Sequence, residues 1–220
     1  MPLAKVGDHS VLFVHIPKTG GSSIEKYLAQ QGEISLKGRT RIGLIRCSLH
    51  HLHTTQLQKR IEPGSVDWSF MVVRHPVARI ISEYRYQLRK RRLIRNKISF
   101  STWLSLSLGI CRFNPYYRDN HFRPQSEFEY PGAEIFHFEE GVGQCLTAIA
   151  SHLGRRVPEI PIWENPSPEL DIQIRDEDLQ RIKEFYADDF LRYGYGIDQE
   201  SLERAGVPVN ISSEKSGSPR

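Results

Sequence analysis

Short apolar runs alternate with amphipathic stretches along the N-terminal part of the chain. The run Val11–Val14 precedes a loop that contains Pro17 and two glycines, a pattern that predicts a buried parallel strand ending in a turn. A helix should follow this loop, with Ser22 or Ser23 as its N-terminal cap. Its buried face is predicted to comprise Ile24, Tyr27 and Leu28, which fall at i, i+3 and i+4.

The same order of strand, loop and helix occurs a second time. Trp68–Val73 is an apolar run typical of a buried strand, and Pro76 follows at a position suited to the first turn of a helix. The buried stripe of this second helix is predicted to comprise Val77, Ile80, Ile81 and Tyr84.

The remainder of the chain predicts further alternation of helices and strands. We expect a helix at 97–108, a long ordered loop at 111–131, a strand at 133–138, and helices at 142–153 and 176–192. This order indicates an α/β fold of three layers around a mostly parallel central sheet. A single domain should span residues 1–204, with a disordered tail at 205–220.

Composition narrows the function classes without selecting one. The 220 residues are 39% hydrophobic and 25% charged, which excludes fibrous and intrinsically disordered classes. Thirty Lys and Arg residues against 26 Asp and Glu residues give a net charge of +4. This modest excess favours an anionic ligand but does not require nucleic acid.

Three cysteines, Cys47, Cys111 and Cys145, are too few and too widely spaced for a disulfide framework. They are expected to be buried as small apolar side chains in a reducing compartment. The run Val11–Val14 is too short for a signal-peptide core or a membrane span. These features favour a cytoplasmic protein without stable membrane insertion.

The stretch His15–Ser23 contains a candidate anion site. Glycines allow the backbone to approach an anion closely, the first amides of the next helix point towards it, and Lys18 adds a full charge. The motif of P-loop NTPases is absent, because Lys18 precedes the glycine pair. The alternative is a tight strand-to-helix turn with a solvated lysine.

A second candidate anion site follows the second strand. Arg74 lies at the predicted carboxyl end of that strand, and Ser82 lies two turns into the next helix. Ligands of open α/β sheets bind at this edge, so the two side chains could hold a second phosphate. Taken singly, Arg74 could instead form a salt bridge and Ser82 could be an ordinary helix hydroxyl.

The two segments together resemble a known family. PKTGGSS at 17–23 and RHPVARIIS at 74–82 are similar to the 5′-phosphosulfate loop and the 3′-phosphate motif of carbohydrate sulfotransferases. These enzymes use 3′-phosphoadenosine 5′-phosphosulfate (PAPS), and the likeness is greatest to the heparan sulfate 2-O and 6-O group with its bacterial members. Weaker similarities are NHFRPQ at 120–125, IFHFEE at 135–140 and FYADDFLRYGY at 185–195.

The resemblance implies a P-loop-kinase-like sulfotransferase fold and specific roles for the residues of both motifs. Lys18 would contact the 5′-phosphate and the departing oxygen, and Arg74 with Ser82 would hold the 3′-phosphate. PAPS would be the co-substrate, no metal would be needed, and a glycan or another hydroxyl-bearing molecule would be the acceptor. The other residues expected to surround PAPS are Pro17, Thr19, Gly20, Gly21, Ser22 and Ser23.

A general base is expected between the two motifs. The family's base is a histidine followed six residues later by Leu or Ile, and His51 with Leu57 matches that spacing. His53 is the second choice. An imidazole, with an ordinary pKa of ~6.5, is largely neutral at cytosolic pH and can accept a proton. The alternative is a histidine without a chemical role.

The same segment has a metal interpretation. Its four potential ligands lie within seven residues, but no second Cys or His pair has finger-like spacing, so no metal is expected. The four are Cys47, His50, His51 and His53.

The acceptor side is less defined by the sequence. His53, Arg123 and Gln125 are the predicted acceptor ligands, in a region whose aromatic rings suit sugars. A basic run over 89–97 could recruit an acidic glycan, or it could be the solvated end of a helix. Further residues that could border the site are Tyr116, Tyr117, His121, Phe122, Trp163, Asn165 and Ser167.

Two other functions remain open from the residues alone. A basic nucleic-acid-binding protein would account for the pI of about 9.0 and for the run at 89–97. A nucleotide-dependent phosphotransferase would share the anion loop, but it would need Mg²⁺, and no Asp or Glu ends the strand at Val73 to hold the ion.

Overall fold

The structure is a computed structural model, and it describes residues 3–62, 64–90, 98–156 and 172–207. Its strands are β1 (Leu3–Val6), β2 (His9–Val14), β3 (Glu33–Ser35), β4 (Arg39–Ile42), β5 (Ile45–Ser48), β6 (Trp68–Val73) and β7 (Glu134–His137). Its helices are α1 (Gly21–Gln31), α2 (Thr54–Gln58), α3 (Pro76–Lys90), α4 (Phe100–Phe113), α5 (Val142–His152), α6 (Asp176–Phe185), α7 (Ala187–Arg192) and α8 (Gln199–Arg204). Short 3₁₀ helices occupy Leu49–His51, Gln125–Phe128 and Phe138–Glu140.

Five strands form the central sheet in the order β3-β1-β2-β6-β7. β2 pairs in parallel with β6, and β6 with β7, whereas β1 is antiparallel to both β2 and β3. Four of the five strands therefore run in one direction, and the carboxyl ends of β2, β6 and β7 lie at one edge. The predicted α/β fold with a mostly parallel sheet is confirmed.

Alternate residues of the central strands enter cores on opposite faces of the sheet. Phe13 and Phe70 stack at 5.0 Å between ring centroids in the core that includes residues of α1 and α5. Leu12 and Met71 point to the other face, where they pack with Cys47 of β5 and with Leu57. A third core joins α3, α4, α6, α7 and α8.

The two predicted strand–loop–helix units are confirmed, and all their predicted helix-face residues are buried. The predicted cap of α1 is wrong. Gly20 is the N-cap, with a φ of 80°, and no side chain caps the helix. A backbone in this left-handed region favours glycine over serine.

Several boundaries differ from the sequence prediction. α4 begins at Phe100 and extends to Phe113, because Ser99 caps it by accepting a hydrogen bond from the Thr102 amide. The helix predicted at 176–192 is two helices, since the backbone leaves helical geometry at Tyr186. The sequence did not predict the antiparallel hairpin β4–β5, which leads directly into Leu49–His51.

Some predictions fall outside the described residues. These include the basic run from Arg91 to Lys97, the candidates Trp163, Asn165 and Ser167, and the tail from 208 onwards. The three cysteines are free and buried, as predicted. In the described ranges, no helix combines the length and apolar composition needed to cross a bilayer.

Candidate active site

The two anion motifs meet at the carboxyl edge of the sheet. β2 ends at Val14 and the neighbouring β6 ends at Val73, so the segments that follow them are adjacent. The guanidinium of Arg74 donates from Nη1 to the backbone oxygen of Lys18 at 3.2 Å. The PKTGG loop and the RHP segment therefore form one site.

Local geometry explains the residue types of the loop. Thr19 is fully buried and donates from Oγ1 to the Ile16 carbonyl at 2.9 Å, which closes the turn. A Cβ on Gly21 would lie 2.2 Å from the His15 ring, so only glycine fits there. The first turn of α1 has neither a capping side chain nor an acidic residue. Its N-terminus therefore suits an anion.

Lys18 is held in a strained and partly desolvated position. Its φ is 72°, in the left-handed region that few residues other than glycine adopt. Its Nζ lies 4.2 Å from the centroid of the Tyr86 ring. Burial lowers the pKa of Lys18 to about 8, although the Glu83 carboxylate acts in the opposite direction. An anion placed here would stabilise the charged ammonium.

Arg74 is a second desolvated cation. Its guanidinium lies 4.2 Å over the Phe138 ring, its Nε is buried without a hydrogen-bond partner, and burial lowers its pKa to about 10. Within residues 3–62, 64–90, 98–156 and 172–207, neither Arg74 nor Lys18 forms a salt bridge. Unpaired buried charge is costly, so the pair is suited to an anionic ligand.

The depressed pKa of Lys18 predicts how the affinity of this site for a phosphate-bearing ligand depends on pH. Below pH 8 the Lys18 side chain is already protonated. Above pH 8 it is mostly neutral, so the protein must take up a proton when the ligand binds. The dissociation constant should therefore rise about tenfold per pH unit above pH 8. Calorimetry between pH 7 and 10 measures this, and Lys18→Gln should bind weakly with no such slope. A dissociation constant that does not change with pH in the wild-type protein would contradict a role for the Lys18 ammonium in binding the ligand.

Other side chains build the walls of the site. Arg79 is fully buried, donating to the backbone oxygens of Pro17, His121 and Arg123 at 3.1, 3.0 and 2.8 Å. These three bonds fix the loop, and the remaining Nη1 of Arg79 is buried without a hydrogen-bond partner in the described residues. Ser82 is buried in α3, with 7% of its surface exposed.

The predicted base His51 lies among other histidines. Its ring centroid is 5.2 Å from that of His15 and 5.0 Å from that of His121, in both cases edge to face. Its Nδ1 lies 3.2 Å from Asp119 Oδ2. Burial lowers the pKa of His51 to about 3, against the opposing effect of Asp119, so the ring is neutral at physiological pH.

The three predicted acceptor ligands all have partners within the protein. His53 Nε2 lies 3.0 Å from the Tyr116 hydroxyl, and the Arg123 guanidinium lies 5.0 Å from the Tyr116 ring centroid and pairs with Glu127. Gln125 is fully buried and bonds both the amide and the carbonyl of Arg74, at 2.9 and 2.8 Å. Gln125 thus orients Arg74, and a role in acceptor binding remains a prediction for all three.

The sequence did not single out the carboxylates that bind the histidines. Glu25 Oε1 lies 2.6 Å from His15 Nδ1 and 2.8 Å from His50 Nδ1, and Glu83 lies 2.6 Å from His121 Nδ1. In the described part of the chain, the His15, Glu25 and His50 atoms are the potential metal-ligating group. This differs from the Cys47–His53 set, whose Cys47 thiol has its pKa raised to about 12 by burial.

The late segment at 185–195 forms hydrogen bonds to the segments that carry the site. Asp189 accepts the backbone amides of Gln125 and Ser126 at 2.8 and 2.9 Å. Tyr195 donates to Glu139, which in turn accepts the amide of His75 at 2.8 Å. These bonds link the late segment to the residues beside Arg74.

Comparison with known proteins identifies the family. No curated protein sequence matches the chain. A solved sulfotransferase from Alicyclobacillus acidocaldarius is similar in fold, with a TM-score of 0.45 and 17% identity over 85% of this chain and 94% of that one. The sequence profile described as "Sulfotransferase family" matches residues 5–196. Because this match spans most of the chain, the protein belongs to the sulfotransferase family.

Proposed function

We propose that this protein transfers the sulfuryl group of PAPS to a hydroxyl of a carbohydrate acceptor. The main support is the contact between the Lys18 loop and Arg74, which places two desolvated cations without salt bridges at one sheet edge. A nucleotide with phosphates at both its 3′ and 5′ positions supplies two anionic groups for such a pair.

The residues present fit this co-substrate. Lys18 and the uncapped first turn of α1 would hold the 5′-phosphate. Arg74 would hold the 3′-phosphate together with Ser82, and the unpartnered Arg74 Nε is a buried donor that such a phosphate could satisfy. When bound, PAPS supplies the sulfuryl group and the phosphate leaving group.

The protein's own groups have two tasks in this reaction. His51, neutral because burial depresses its pKa, would accept the proton of the acceptor hydroxyl. Lys18 would stabilise the negative charge that develops on the departing phosphate oxygen. Both groups act from positions fixed by buried contacts, which reduces the reorganisation needed during the transfer.

Carbohydrate is the acceptor class favoured by the side chains around Tyr116. Tyr116 lies between His53 and Arg123, so a flat ring is flanked by polar groups, a combination suited to sugars. A mass-spectrometric screen of glycans and small alcohols incubated with PAPS should show an added sulfuryl group on sugars. Transfer confined to non-sugar alcohols would overturn this part of the proposal.

The three free thiols favour a reducing, cytoplasmic location.

Thermal stability tests the nucleotide assignment without an acceptor. At about 100 times its dissociation constant, adenosine 3′,5′-bisphosphate should stabilise the fold by ~2.7 kcal/mol, which raises Tm by roughly 5–10 °C. ATP at the same concentration should give a much smaller shift, because it has no 3′-phosphate for Arg74. Differential scanning calorimetry measures both.

Equal shifts with the two nucleotides would contradict the proposal. A shift with ATP that requires Mg²⁺ would favour a phosphotransferase. Steeply salt-dependent binding of DNA or RNA, with indifference to the bisphosphate, would favour a nucleic-acid-binding protein.

A further inference from the structure

The imidazole of His51 is bonded to a carboxylate from a distant segment of the chain. Asp119 Oδ2 lies 3.2 Å from His51 Nδ1, and Asp119 Oδ1 accepts the backbone amide of Ser48 at 2.6 Å. Ser48 ends β5, and His51 ends the 3₁₀ helix that follows. Both oxygens of one carboxylate are therefore fixed against the short segment that carries the proposed base.

The charge state of Asp119 determines which nitrogen of His51 carries the proton. Burial raises the pKa of Asp119, but hydrogen bonds from His51 and from the Ser48 amide outweigh it and hold that pKa well below its usual range. An ionised carboxylate can only accept hydrogen bonds, so Nδ1 of the neutral His51 ring must be the donor. The lone pair is then on Nε2.

Two other histidine rings face His51. His15 and His121 meet its ring edge to face, and each is bonded through its own Nδ1 to another carboxylate. Those carboxylates are Glu25 and Glu83. Asp119 is thus the carboxylate that pairs with His51 in the part of the chain described by the structure.

The backbone around Asp119 adopts an unfavourable conformation to make this contact. Arg118, Asp119 and Asn120 have φ values of 53°, 63° and 65°, three successive left-handed residues of which none is glycine. Left-handed backbone is sterically unfavourable for residues other than glycine, although Asp and Asn tolerate it better than most.

Buried contacts of Asn120 stabilise this run. Asn120 is fully buried, donates to the His51 carbonyl at 2.7 Å and accepts from Arg123 Nε at 3.0 Å. Adjacent side chains of one strained run therefore bind the backbone and the ring of His51. Strain maintained by surrounding contacts is typical of functional sites.

We propose that Asp119 is a positioning residue for the sulfuryl transfer, which holds the His51 ring as its Nδ1–H tautomer and stabilises the imidazolium that forms. The acceptor hydroxyl proton moves to Nε2 while the hydroxyl oxygen bonds to sulfur. The bond from sulfur to the 5′-phosphate oxygen breaks, and its electron pair leaves with the nucleotide. This inference rests on the proposed function for its catalytic consequence, but not for the tautomer.

Nuclear magnetic resonance tests the tautomer directly. In the full-length protein labelled with ¹⁵N-histidine, long-range proton–nitrogen spectra distinguish a protonated from an unprotonated ring nitrogen, and His51→Gln assigns the signals. The wild-type spectrum should show His51 with hydrogen on Nδ1. In Asp119→Asn, whose amide can donate to Nδ1, the Nε2–H form should appear. An Nε2–H ring in the wild-type protein, or the same tautomer in both proteins, would overturn the proposal.

Steady-state kinetics tests whether the contact between Asp119 and His51 affects sulfuryl transfer. With release of adenosine 3′,5′-bisphosphate from PAPS as the readout, Asp119→Asn should lower kcat by roughly 10²–10⁴-fold, in line with a wrong tautomer in other His–Asp pairs. KM for PAPS should change less than about threefold, and Asp119→Glu should recover part of kcat. A kcat within about threefold of wild type, or equal losses in kcat, nucleotide affinity and Tm, would refute a positioning role.

Failure of the proposed role of Asp119 can be distinguished from failure of the proposed function. If His51→Gln is inactive and Asp119→Asn is fully active, the base assignment stands and the Asp119 role fails. If the wild-type protein binds no bisphosphate, the proposed function fails, whereas the tautomer measurement still decides whether Asp119 orients His51.

Discussion

Replacing His51 by alanine should lower kcat for sulfuryl transfer by roughly 10²–10⁴-fold while leaving bisphosphate affinity almost unchanged. The reason is that different side chains are proposed for catalysis and for nucleotide binding. His51 contacts Asp119, His15 and His121, whereas the cations proposed to bind the nucleotide are Lys18 and Arg74. Steady-state release of adenosine 3′,5′-bisphosphate gives kcat, and calorimetry with the same nucleotide gives the affinity.

His50→Ala is the matched control for this variant. His50 is the preceding residue in the same 3₁₀ helix, but its Nδ1 is bonded to Glu25, so its loss should change kcat by less than about threefold. His51→Gln guards against a cavity effect, because it retains more of the buried volume. Full activity in both His51 variants would contradict the assignment and direct attention to His53.

Local patterns predicted the scaffold of the site because each of its units is encoded within about 25 consecutive residues. The runs Val11–Val14 and Trp68–Val73 lie within observed strands, and the adjoining helices bury the predicted faces. The carboxyl ends of parallel neighbours must meet at one edge, so the proximity of Lys18 and Arg74 followed from the fold class alone.

The sequence could not predict contacts between distant residues. Asp119 follows His51 by 68 residues and lies outside any helix or strand, so no periodicity connects the two. The same is true of Gln125, whose amide group bonds the backbone of Arg74 across 51 residues of sequence. Short strands such as β1 and β3, with three or four residues each, are also too brief to give a clear alternation.

The capping error at α1 has a similar origin. Ser22 and Ser23 are good cap residues by type, but the left-handed φ of 80° at Gly20 determines where the helix begins. A φ value is set by the tertiary path of the loop between β2 and α1. This outcome leaves the first turn of α1 without a capping side chain, which is the property that an anion site requires.

Replacing Arg74 by alanine should weaken binding of adenosine 3′,5′-bisphosphate by roughly 10–100-fold, the usual effect of losing a hydrogen bond to a charged group. The guanidinium lies over the Phe138 ring and its Nε is buried without a hydrogen-bond partner, so the 3′-phosphate would find a preorganised donor there. Isothermal titration measures the loss. Arg112→Ala, which removes the same charge from an exposed position at the end of α4, should bind like the wild-type protein.

A double-mutant-type cycle, in which both Arg74 and the 3′-phosphate of the nucleotide are removed in turn, isolates the interaction between these two groups. The wild-type protein should prefer the 3′,5′-bisphosphate over adenosine 5′-monophosphate, and Arg74→Ala should lose most of that preference because both changes remove the same interaction. Arg74→Lys should recover only part of it, since an ammonium lacks the planar fork of donors. If Arg74→Ala instead weakens both nucleotides equally, Arg74 acts by holding the Lys18 carbonyl at 3.2 Å and not by binding the 3′-phosphate.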